Sequence, residues 1–145
     1  MWVPNGMAPV VWVAPPIVTR PAAAGLDSWG VLWDLDAAGT FPSNDRHVLT
    51  DIGAWRRQVK FPDLDACHWT RLTHGWGGQG PVVDTKTLDR DNNLVCGVIE
   101  LSMFERSYLL MGMEEALMAY VTETGSMEQL LGAIADFNIE LIERL

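Results

Sequence analysis

The hydrophobic pattern changes period along the chain, and each change predicts an element. Residues 1–25 carry Pro4, Pro9, Pro15 and Pro16 and no helical repeat, which predicts an extended path with a short strand at Val10–Val13. Leu26–Leu35 sets Trp29, Val31 and Trp33 against smaller or polar neighbours, the two-residue period of a strand. Asp36–Asp45 is turn chemistry, and His47–Leu49 is expected to return as a second strand, giving a hairpin over residues 26–49. Residues 50–93 read as helical. Thr50 or Asp51 caps a short helix through Val59 with Ile52, Trp55 and Val59 on one side, and Lys60-Phe61-Pro62 ends it. Asp63 or Asp65 opens another helix carrying Cys67, Trp69 and Leu72, closed by Gly75, Gly77, Gly78 and Gly80, and a helical turn around Asp84–Arg90 follows.

The stretch the others are arranged around is Leu94–Leu131. Leu94–Ile99 is an apolar run of strand character ending at Glu100. Ser102 and Glu105 form an S-x-x-E pair, the capping box in which hydroxyl and carboxylate satisfy each other's backbone N–H groups at a helix start. A helix with Phe104, Tyr108, Leu109 and Met111 on its apolar side comes next, Gly112 interrupts it, and Met113–Val121 resumes. Ser126 and Gln129 repeat the capping pattern before a last helix, Met127–Leu145. Its stripe is Met127, Leu130, Leu131, Ile134, Phe137, Asn138, Leu141, Ile142 and Leu145, apolar except for Asn138. A buried strand handing over to a helix through a polar turn is the βα unit of an α/β protein, and chemistry in such folds gathers at that turn. Glu100–Glu105 is therefore the first candidate site. The S-x-x-E cap explains Ser102 and Glu105 without a catalytic role, so Glu100 is the stronger functional candidate.

Composition narrows the partners. With 48% hydrophobic and 20% charged residues the 145-residue chain can bury a core, and a net charge of −9 argues against nucleic acid or an anionic membrane. Arg56, Arg57 and Lys60 are the densest basic group and fit one turn of a surface helix. The opening 18 residues lack a basic leader and are broken by proline, so neither a signal peptide nor a membrane span is expected and the location is read as cytoplasmic. Cys67 and Cys96 are far apart and read as reduced, packed thiols. His47, His68 and His74 include no H-x-x-x-H, so no metal is expected within this chain. GWGGQG lacks the G-K-[ST] ending and preceding strand of a phosphate loop and reads as a helix stop. Met103, Met111, Met113 and Met118 read as packing filler.

Three blocks together resemble the uroporphyrinogen decarboxylase-like family. They are Asp27–Asp63, with D-x-W-G-V-x-W and a later K-x-P-D-L; Leu94–Leu117, with S-x-F-E-R and L-x-G-M-E-x-A-L; and the final E-x-L-x-x-x-I-x-D-F-x-x-E helix. The resemblance implies an α/β fold, here an incomplete (β/α)8 barrel, because a closed one needs about 250 residues. The chain would be an N-terminal-to-middle portion, inactive alone. In the complete protein it implies tetrapyrrole carboxylate decarboxylation, a lyase step of porphyrin biosynthesis, or methyl transfer to or from a corrinoid partner with zinc as the cofactor. Glu100, Ser102, Phe104 and Glu105 would sit at the barrel mouth, with Trp29 and Trp33 either lining a substrate wall or packing in the core. The family's arginine-bearing N-terminal loop has no match here, and the H-x-C…C zinc ligands of its methyltransferases would lie beyond Leu145. The other expectation is a non-catalytic chain that self-associates or docks a complementary chain, motivated by the apolar N-terminus and the last helix.

Overall fold

The computed structural model describes residues 10–74 and 80–145. Trp2, Pro4, Pro9 and most of the GWGGQG stretch lie outside the described residues. Among the described residues, seven short strands form two open sheets beside four helices. The first sheet has the order β6-β5-β1-β7, built from β1 (Val10–Ala14), β5 (Arg71–His74), β6 (Val82–Asp84) and β7 (Leu94–Gly97). The second is an antiparallel meander of β2 (Gly25–Leu26), β3 (Leu32–Asp36) and β4 (Gly39–Pro42). The helices are α1 (Trp55–Gln58), α2 (Met103–Met111), α3 (Met113–Thr122) and α4 (Thr124–Arg144).

The expected incomplete (β/α)8 barrel is overturned by this topology. A barrel is a ring of parallel strands, each followed by a helix. Among the described residues only β1 and β7 pair in parallel, Val10 opposite Leu94 through Val13 opposite Gly97, while every other pairing is antiparallel. β7 is an edge strand, and Leu94 is 58% exposed. The helical reading of residues 50–93 fails as well: β5 and β6 lie there, and among the described residues of that stretch the one α-helix spans four residues. The fold is a small mixed α/β domain.

Local chemistry explains the hairpin. β3 and β4 are joined by Ala37-Ala38, with Ala38 N–H donating to the Asp36 carboxylate at 2.7 Å and Gly39 at φ +122°, a conformation that excludes most side chains. The return strand is therefore Gly39–Pro42, and His47–Leu49, expected in that role, follows it as a loop. One face of the meander presents Trp33 to α2 and α4, where Leu109, Leu110, Leu130, Ile134, Phe137 and Leu141 complete the core. Each such side chain contributes about 1.5–3 kcal/mol on burial.

Gly112 separates the helices as expected. Its N–H closes α2 on the Tyr108 carbonyl at 2.8 Å, and its carbonyl accepts from Ala116 N at 3.0 Å to open α3. At φ +90° and ψ 153° it occupies a region open essentially to glycine alone, and a Cβ there would meet His47 Nε2 and Glu115 Oε2, each at 3.1 Å. Gly112→Ala is expected to cost about 1–3 kcal/mol, seen as a lower urea midpoint with an unchanged slope.

The capping boxes are not formed. Ser102 holds the N-cap position, but its hydroxyl accepts from Asn138 Nδ2 at 3.1 Å instead of a backbone N–H. Ser126 lies inside α4, which starts at Thr124. Asn138, the polar member of the last helix's stripe, is buried for this bond across to α2. Ile142 and Leu145, expected in the stripe, are exposed.

Candidate functional site

The most organised polar centre lies at the loop before β3. Asp27 closes it: Oδ1 accepts from Trp29 N and Val31 N, both at 2.9 Å, and the backbone closes again between Asp27 N and Val31 O. This is the Asx geometry that a short carboxylate offers to the residues after it. Gly30, at φ +80°, makes the turn. The other carboxylate oxygen accepts from Trp33 Nε1 at 3.0 Å and faces Arg106 Nη1 at 3.5 Å. Arg106 projects from α2 with 1% of its side chain exposed and lies 4.4 Å over the Trp29 ring. Burial pulls its pKa down to about 10, outweighing the opposing lift from Asp27. Trp29 is itself held by an Nε1 bond to the Ile17 carbonyl and edge-on contacts with Phe61 and Phe137 near 5 Å.

Above this centre opens a cleft of about 420 Å³, lined by Asp27, Trp29, Arg46, His47, Gln58 and Lys60 among others. Gln58 is fixed by accepting from Thr50 N at 2.8 Å. Arg46 and Lys60 reach solvent, and among the described residues neither makes an ion pair. The cleft thus brings together two cations that make no ion pair among the described residues, an imidazole and the Asp27 carboxylate that faces Arg106.

The residues expected at the site do not meet in one place. Trp29 lines the cleft with one edge but is 3% exposed and belongs to the core. Glu100 follows β7 and its Oε2 accepts from Arg20 N at 3.2 Å. Ser102 is engaged with Asn138. Phe104 is exposed and packs its ring on Tyr108 and Tyr120, and Glu105 is half-buried on α2. Glu100, Ser102, Phe104 and Glu105 do not line the cleft. Asp27, Arg106, Arg46, His47, Gln58 and Lys60 escaped the sequence reading as site residues. For Arg106 a signal existed, since it shares a helical face with Leu109 and Leu110, where a charge needs a buried partner. Arg46 and Lys60 carried none.

Among the described residues no three His, Cys, Asp or Glu side chains gather as a metal site, and no helix is long and apolar enough to cross a membrane. Cys67 and Cys96 are free, and burial, then Asp63, raises the pKa of the Cys67 thiol, which keeps it protonated. No family model matches the chain, and no curated protein or solved structure matches it.

Proposed function

We propose that the chain is related by sequence to the uroporphyrinogen decarboxylase-like proteins, although its described strands do not form part of a barrel, and that its cleft grips a carboxylate of a tetrapyrrole or similar polyacid. The observation that carries this reading is the pair of cations without ion-pair partners among the described residues, Arg46 and Lys60, on one concave wall with His47. The resemblance supports it, because the cleft's lining runs from Leu26 to Lys60 and so falls almost wholly inside the first resembling block, Asp27–Asp63. In this reading the cleft positions a substrate carboxylate while the reaction, decarboxylation or corrinoid-linked methyl transfer with zinc, belongs to the complete protein. Arg46 offers a planar fork to the carboxylate and Lys60 a mobile point charge.

Titrating a polycarboxylated porphyrin while following tryptophan fluorescence tests this. Arg46→Ala with Lys60→Ala is expected to weaken binding by up to about thirtyfold, given up to ~1 kcal/mol for each exposed charge pair. The far-ultraviolet circular dichroism should stay the same. Affinity that is unchanged in the double variant, or insensitive to salt, would remove the site. A second, non-catalytic reading rests on another observation, the exposed apolar face of α3.

A further inference from the structure

Met113, Leu117 and Val121 recur along α3 at intervals of four and, with Met118, face solvent, Val121 at 78% exposure. Met103, Met113 and Met118, expected as packing filler, are all exposed, and of the four methionines so read only Met111 is buried. The α3 face runs through Tyr120 and Thr124 into a groove of about 400 Å³ between the helices, floored by Met103, Met127 and Leu131. Its aromatic side is fixed: Tyr120 shares a 3.2 Å hydrogen bond with Ser107 and packs on Phe104. From Met113 to Val121 the face is about 12 Å long, a little over two turns of a helix.

The rim says what covers it. Residues 103–144 hold eight carboxylates and two arginines. Arg106 is buried against Asp27, and Arg144 is tied to Asp65 and Glu140 at the far end of α4. Glu114, Glu115, Glu123 and Glu128 are exposed, and none pairs with a cation among the described residues. Glu128 lines the groove itself. A second copy seated face to face would bring these carboxylates against their own image, and nucleic acid or an anionic membrane would be repelled.

We infer that this face docks a basic amphipathic helix from another protein, its apolar side lying along Leu117, Tyr120 and Met103 and its lysines or arginines reaching Glu114, Glu123 and Glu128. The exposed methionines suit such a partner because their unbranched side chains repack around varied apolar anchors. The inference is independent of the anion cleft, with which this groove shares no lining residue.

The test uses a labelled helical peptide of leucine and lysine in amphipathic order, followed by fluorescence anisotropy. Saturable binding is expected, weakening as salt is raised. Leu117→Asp, at an exposed position, should reduce affinity about tenfold, as should Glu123→Lys with Glu128→Lys. The same peptide with glutamate in place of lysine should not bind. Equal binding of the glutamate peptide, or unchanged affinity in both variants, would overturn the inference. So would light scattering that shows a dimer dissolved by Leu117→Asp, since that would make a second copy the occupant.

Discussion

Asp27→Asn is expected to remove about 3–5 kcal/mol of folding free energy, the cost of leaving a buried ion without its partner. The carboxylate meets four donors: Trp29 N and Val31 N at one oxygen, Trp33 Nε1 and Arg106 at the other. An amide has one acceptor oxygen, so whichever way the substituted side chain turns, two donors face an N–H group. Turned to keep the backbone loop, it strands Trp33 and the buried guanidinium. Turned the other way, it opens the loop that shapes the cleft. Arg106 is the costlier half of the pair, because burial already pulls its pKa down to about 10 with Asp27 in place. Its Nε also has no hydrogen-bond partner among the described residues. Removing both charges should therefore recover part of the loss: Asp27→Asn with Arg106→Met is expected to stay about 1–3 kcal/mol below the parent, because Trp33 Nε1 still faces the amide N–H group. Urea titrations of the two variants measure this directly. A single variant as stable as the parent would mean that the pair contributes nothing and that Arg106 finds its compensation in the Trp29 ring.

The part of the fold legible in the sequence is the part whose signals are long. α2, α3 and α4 repeat apolar residues over two turns or more, and Gly112 marks their break, so their existence was readable to within a few residues. Between residues 50 and 93 the signals were correct and their extent was not. Asp51, Asp63 and Asp84 each accept a hydrogen bond from the backbone N–H two residues on, as a helix cap would. Each starts a single 3-10 turn, extended only at Trp55–Gln58, where Ile52, Trp55 and Val59 are buried; after Asp63 and Asp84 no comparable apolar face follows that a longer helix could bury. β5 and β6 are four and three residues long, too short for a two-residue period to show. The barrel expectation failed for a different reason. A strand followed by a helix is common to many α/β arrangements, and only pairing partners distant in sequence separate them, such as Val13 with His74 and Gly97. The candidate site was less legible still. Ser102 sits at the position that invites a cap, yet Asn138, thirty-six residues away, takes its hydroxyl.

Trp29→Ala is expected to cost about 3–5 kcal/mol, the range for emptying a large aromatic from a core. The indole stands where four separate elements meet: its Nε1 on the Ile17 carbonyl, its edges on Phe61 and on Phe137 of α4, and its face under Arg106 of α2. Alanine leaves a void between the meander and the helices and strips Arg106 of the ring that shields its charge. Trp29→Phe separates these contributions. Phenylalanine keeps the edge contacts and part of the cation–π attraction but loses the donor to Ile17, so a loss of about 1–2 kcal/mol is expected. The same pair of variants decides between the two roles that the sequence left open for this residue. If Trp29 is core, the phenylalanine variant is measurably less stable in urea and binds a polycarboxylated porphyrin nearly as well as the parent, since Arg46 and Lys60 are untouched. If it is instead a wall of the ligand site, stability stays at the parental level and the affinity falls. Its 3% exposure and its four anchoring contacts favour the first outcome.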